Sequence, residues 1–105
     1  MPQTIMIYLT QMIFVHEGKE YVFDEFENIA IPLMAEYEGK MIYRIKPTKD
    51  AFLTANKEVP YEIHFLSFPD DSSLQNFLKD ERRTSFVHLK NESIRTSYII
   101  KGEKL

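Results

Sequence analysis

The stretch Pro60-Tyr61-Glu62-Ile63-His64-Phe65-Leu66-Ser67-Phe68-Pro69 constrains this chain most, because strand-forming residues run unbroken between two prolines. Proline fixes its own φ and has no N–H to give to a ladder, so each one marks a limit of a strand. Asp70-Asp71-Ser72-Ser73 follows at once and offers N-cap side chains for a helix. The stretch therefore predicts strand, sharp corner, helix. Period-two alternation puts Glu62 and His64 on one face of the strand, with Tyr61, Ile63 and Phe65 on the other.

Earlier in the chain, Thr4 to Val15 sets Ile5, Ile7, Leu9 and Ile13 against Met6, Tyr8, Thr10, Met12 and Phe14. Both sides are largely apolar, which predicts a strand buried on two faces and so central in its sheet. The turn at His16-Glu17-Gly18-Lys19 ends it. From Glu20 to Tyr37 the spacing of Val22, Phe26, Ile29, Ala30, Leu33 and Tyr37 becomes helical. Pro32 is expected to kink or divide this helix near Asn28, and Gly39 to stop it. Lys40 to Lys46 alternates as a second strand. The connection from Pro47 to Val59 is a loop in which Phe52 and Leu53 need a place to pack. After the third strand, Leu74, Phe77 and Leu78 predict an amphipathic helix. Asp80-Glu81-Arg82-Arg83 reads as a solvated face or helix junction, and Phe86, Val87 and Leu89 continue the helical stretch. Ser93 to Lys101 is the last strand.

The order strand, helix, strand, strand, helix, strand is that of the ferredoxin-like βαββαβ fold, an α+β arrangement with a four-stranded antiparallel sheet, here a single domain over residues 1–105. Helices cover one face of such a sheet. The face expected beneath them carries Ile5, Ile7, Leu9, Tyr43, Ile45, Ile63 and Phe65, with Tyr98 and Ile100. The other face, with Met6, Tyr8, Met12, Phe14, Ile42, Leu66, Phe68 and Ile99, is too apolar to leave in water. A second copy is the simplest cover, so a homodimer is predicted.

Composition limits the function classes. With 44% hydrophobic residues, eight Phe and six Tyr, the 105-residue chain has enough apolar material to order itself. The formal charge of −3 gives no surplus of cations to displace counterions from phosphates, which argues against a nucleic-acid partner. The absence of cysteine removes disulfides, thiolate nucleophiles and Cys-ligated metals. Met1 to Val15 lacks a positive n-region and is interrupted by Gln3, Thr10 and Gln11, so neither a signal segment nor a membrane span is expected, and a cytoplasmic location is.

Pro32-Leu33 leading to Tyr37-Glu38-Gly39, and Glu62 to Pro69 running into the Asp70-Ser72 helix start, resemble the dimeric α/β-barrel superfamily over nearly the whole chain. In that superfamily two ferredoxin-like subunits pack sheet against sheet. The likeness is to its small uncharacterised members, related to antibiotic-biosynthesis monooxygenases, whose third strand ends in Phe-Pro. That branch often has two glycines after the first helix, where this chain has Glu38-Gly39. Its haem-degrading relatives carry a catalytic Trp that this chain lacks.

The polar residues assigned to the partner-facing side form the candidate site: Tyr8 and Thr10, Arg44, Glu62 and His64, and Arg95 with Ser97. The first and third strands are neighbours in this fold, which predicts Tyr8 near His64. His64 beside the Glu62 carboxylate suits general acid–base work, with Tyr8, Arg44 and Arg95 binding an anionic substrate. The plainer reading makes the same residues a hydrogen-bonded polar cluster in a dimer interface. His16 and His88 have no paired spacing, so no metal site is expected, and no cofactor is implied. There is no glycine-rich phosphate loop, nucleophile elbow or basic aromatic RNA-binding motif. Two readings follow: a small cofactor-independent enzyme acting by proton transfer or oxygenation on a small organic molecule, or an accessory protein that binds such a ligand without changing it.

Overall fold

Antiparallel pairing of the two-sided apolar strand with the proline-bounded one forms the middle of the sheet. The computed structural model describes residues 5–105, and the expected strand start at Thr4 lies outside them. Strand β1 (Ile7–Val15) is followed by helix α1 (Glu20–Ala35), β2 (Lys40–Ile45) and β3 (Glu62–Phe68). Three short helices, α2 (Asp71–Lys79), α3 (Glu81–Ser85) and α4 (Val87–Ser93), lead to β4 (Ile94–Gly102). The sheet order is β2-β3-β1-β4 with every pair antiparallel. This is the ferredoxin-like α+β fold.

Local chemistry sets the element ends. The Asp70 carboxylate accepts a 2.7 Å hydrogen bond from the Ser73 N–H and caps α2. Asp80 adopts an extended conformation that ends α2, and its side chain accepts from the Arg82 N–H to start α3. Asp80 to Arg83, expected as a solvated face or helix junction, thus contains a junction, and the helical stretch comes as three short helices. Pro32 does not divide α1, which runs on to Ala35. The Asn28 carbonyl that loses its usual donor sits at an exposed position, where water can serve it.

The end of α1 is a Schellman turn. The Gly39 N–H reaches the Met34 carbonyl and the Glu38 N–H reaches that of Ala35. Glu38, not Gly39, takes the left-handed conformation, with φ of 60°. Gly39 is needed for closeness instead. A Cβ there would lie 2.4 Å from Met34 Cγ and 2.7 Å from Phe68 Cε1.

The core lies between α1 and the sheet: Phe26, Ala30, Leu33 and Met34 pack with Ile7, Leu9, Leu66, Phe68 and Phe77. Here the structure corrects the expected faces. Residues paired across a ladder share a face, and Ile7, Leu9, Gln11 and Ile13 stand opposite Phe68, Leu66, His64 and Glu62. All of these point toward the helices. On β2 a bulge between Met41 and Tyr43 places Met41 and Arg44 on the helix side, and on β4 Ser97 and Ile99 are on that side. Ile63, Phe65, Tyr43, Ile45, Tyr98 and Ile100, expected under the helices, belong to the open face. Ranking faces by apolar content fails because the polar half of β3 finds hydrogen-bonding partners inside, so its burial is tolerated.

The open face remains apolar. Phe65 stacks between Tyr8 and Tyr43, with ring centroids 5.8 and 5.4 Å away, and Tyr98 and Ile100 are both more than half exposed. Loop residues Phe52 and Leu53 find no packing place either, Leu53 being 93% exposed. No helix among the described residues is long and apolar enough to cross a membrane.

Gly39→Ala is expected to lower unfolding stability by about 1–3 kcal/mol, as overpacking does. Urea unfolding followed by circular dichroism checks this. An unchanged midpoint contradicts the close approach.

Candidate functional site

Between α1, the α2–α4 helices and the sheet lies a cavity of about 300 Å³. Its walls are mainly apolar, and a few polar groups converge on it: Gln11, Glu27, His64, Arg83, Lys90 and Ser97. A predominantly apolar cleft with a small number of placed polar groups is the usual form of a small-molecule site.

A chain of hydrogen bonds runs along β2, β3 and β1, and its inner members, His64 and Gln11, form part of the cavity wall. The Arg44 guanidinium donates twice to Glu62, Nε to Oε1 at 2.5 Å and Nη2 to Oε2 at 3.0 Å. Glu62 Oε1 lies 2.7 Å from His64 Nε2, and His64 Nδ1 lies 3.2 Å from Gln11 Oε1. The strands explain the alignment, since Arg44 and Gln11 are the ladder partners of His64 on either side. Phe23 of α1 covers the imidazole, with centroids 6.5 Å apart. The bond from Nε2 to a carboxylate leaves Nδ1 to face Gln11. A primary amide can present an oxygen to an N–H or, turned over, its NH₂ to a bare nitrogen, so Gln11 accommodates either protonation state.

Two carboxyl groups near this wall have opposite electrostatics. Burial pushes Glu62 toward protonation, but hydrogen bonds from His64 and Arg44, with the Arg44 charge, outweigh it and hold the group down at about 2. Glu27 is 8% exposed and has no hydrogen bond among the described residues to favour its anion; burial raises its pKa, only partly countered by the charges of His64 and Arg44. Two titratable groups pushed apart by their surroundings are a common arrangement for acid–base work.

The sequence did not single out Glu27. Its signal was present: Phe23, Glu27, Ala30 and Met34 fall on one helical stripe and are all buried. A charged residue inside an apolar stripe is the feature that marks it.

Of the expected site residues, the structure brings together Arg44, Glu62 and His64, on the helix side rather than the open face. Of these, His64 lines the cavity under α1, as does Ser97, while Arg44 and Glu62 reach it only through His64. Tyr8 and Thr10 lie on the opposite face, beside Phe65 and Ile100. Tyr8 therefore does not approach His64, because its ladder partner is Ser67. Arg95 is also elsewhere: it pairs with Glu58 and lies over the Phe14 ring at the far end of the sheet. Among the described residues no group of three or more His, Asp or Glu side chains is placed to hold a metal ion.

No family model and no curated protein matches the sequence. Solved structures do match. A protein of unknown function from Rhodopseudomonas palustris is 11% identical, with 97% of this chain covering 84% of that one at a TM-score of 0.87. A NIPSNAP-family protein of unknown function from Agrobacterium tumefaciens is 13% identical, over 98% and 91% of the chains, at 0.69. A protein from Bacteroides fragilis, described as dimeric, of unknown function and ferredoxin-like, is 10% identical, over 94% and 96%, at 0.67. The likeness is one of fold.

Arg44→Met leaves Glu62 short of its main countercharge. It is expected to cost about 1–3 kcal/mol, less than breaking a fully buried pair because the guanidinium is about a third exposed. Guanidinium unfolding checks it, and a loss within error contradicts the role of the pair. Because the folded pKa of Glu62 is depressed, its contribution is present above the ordinary 4.5 and is lost as pH falls toward about 2. Glu62→Gln should therefore flatten the acid limb of the stability profile. An unchanged limb contradicts the assignment.

Proposed function

We propose that this protein is a homodimeric α/β barrel that binds a small, mostly apolar organic molecule in the cleft under α1 and moves a proton on it. Glu27 is the acid–base group. The observation that supports this reading is a carboxyl group lining an apolar cavity, its pKa raised by burial above the ordinary carboxylate range. Of the two chemistries considered from the sequence, oxygenation and proton transfer, this carboxyl favours the second.

In such a step the Glu27 carboxylate takes a proton from a carbon next to a carbonyl, and the C–H electron pair moves onto the carbonyl oxygen as an enolate. Gln11 and Ser97, on the same cavity, offer donors to that oxygen. The Glu27 acid then returns the proton, and no external oxidant or reductant enters. Arg44 and Glu62 act one step back, by holding His64 and the wall it forms. Binding without turnover is the second reading, favoured because both ring nitrogens of His64 are already engaged.

The test incubates the protein in D₂O with a panel of small ketones and keto acids, with deuterium uptake followed by NMR. Wild type is expected to exchange at least one compound, and Glu27→Gln to bind that compound without exchanging it. Binding by wild type with no exchange across the panel supports the second reading. Equal exchange by Glu27→Gln removes Glu27 from the chemistry. The same substitution is expected to raise stability at pH 7. A carboxyl whose folded pKa is raised loses stability as pH rises through it, and Gln does not.

For assembly, the exposed apolar residues of the open face and the dimeric description of the B. fragilis structure support pairing sheet to sheet. Light scattering is expected to give twice the 12.5 kDa chain mass, and Phe65→Glu to give the monomer. A folded wild-type monomer at micromolar concentration contradicts the dimer.

A further inference from the structure

The arginines of this chain are Arg44, Arg82, Arg83 and Arg95. Arg44, Arg82 and Arg95 each form an ion pair with a carboxylate. Arg83, on the cavity wall, forms none among the described residues. Its Nε is buried without a hydrogen-bond partner, and its guanidinium lies 5.4 Å from the Phe77 ring centroid and 5.9 Å from that of Phe26. A buried donor left unmade is expensive, and a native structure that keeps one has a use for it.

Lys90 of α4 reaches the same cavity and is likewise in no ion pair among the described residues. The charge of Arg83 is felt at Lys90, and burial destabilises both cations. The carboxyl that shares the cavity, Glu27, lends its charge to Arg83 but forms no hydrogen bond or ion pair with either cation among the described residues. The cleft thus holds two unpaired, partly desolvated cations at the helix side and an apolar interior running to Leu9, Leu66 and Phe68.

We infer that the cleft takes an organic monoanion, a carboxylate on an apolar tail, with the carboxylate on Arg83 and Lys90 and the tail between α1 and the sheet. The inference rests on the reading of the cleft as a small-molecule site and specifies its ligand class. A planar guanidinium matches a carboxylate in two parallel hydrogen bonds, and Lys90 adds a point charge. Desolvated surroundings strengthen both contacts. The geometry also orders the molecule: its charged end is at α3 and α4, and its middle passes Glu27.

The test is calorimetric titration of the full chain with sodium octanoate and with 1-octanol, which has the same tail without the charge. Octanoate is expected to bind about ten-fold or more tightly, since one hydrogen bond to a charged group contributes about 1.5–3 kcal/mol. Arg83→Met and Lys90→Met should each reduce that preference while octanol binding stays unchanged. Equal affinity of wild type for the two probes overturns the inference and leaves the cleft reading standing, as does a preference that survives both substitutions. The wild-type ratio decides this whether or not either variant folds. Failure of both probes to bind removes the cleft as a site for such molecules and the inference with it.

Discussion

Burial of the Glu62 carboxylate is the constraint on which the rest of the site depends. An ionised group 4% exposed is tolerated only where its lone pairs are used and its charge is matched. Arg44 supplies both in a bidentate bond, and His64 uses what remains. With that arrangement in place, β3 turns Glu62 and His64 toward the helices without an unsatisfied polar group, and the same alternation carries Leu66 and Phe68 into the core. The polar wall and the hydrophobic core are thus two halves of one strand. Gln11 closes the wall on the far side because it stands directly across the β1–β3 ladder from His64.

The same strand makes the two faces of the sheet chemically different. Under the helices there is a cleft with a few placed polar groups and two cations, Arg83 and Lys90, in no ion pair among the described residues. On the open side, Tyr8, Phe65 and Tyr43 stack in a row across β1, β3 and β2. The first surface suits a small ligand, and the second suits another protein surface of like character. Assigning ligand and assembly to separate faces removes the need for a site shared across a dimer interface.

Much of the fold was legible in the sequence, and the reasons are local. Pro60, Pro69 and Asp70 fix both ends of a strand and the start of a helix through φ, a missing N–H and a side-chain cap. The apolar character of β1 on both sides marked it as central. What was not legible was which face of β3 turns inward, because Ile63 and Phe65 are as apolar as Leu66 and Phe68. That choice is made by ladder partners, by the β2 bulge at Met41 and Tyr43, and by whether Glu62 finds Arg44. These are non-local facts. The grouping of Glu62, His64 and Arg44 survived because all of them changed face together. Tyr8 was separated from them by a ladder offset that period-two reasoning within one strand does not contain. Glu27 was hidden by habit: a glutamate in a helix is usually on the solvent side, and only its place in the stripe from Phe23 to Met34 says otherwise.

The account stands on the inward orientation of His64, and a nuclear Overhauser spectrum of the aromatic protons tests this directly. Cross-peaks from the His64 ring to the Phe23 ring and to the Gln11 side chain are predicted, with none to Tyr8 or Tyr43. Cross-peaks to Tyr8 or Tyr43 in place of Phe23 would mean that β3 presents its polar half to the open face, and the cleft would lose its wall.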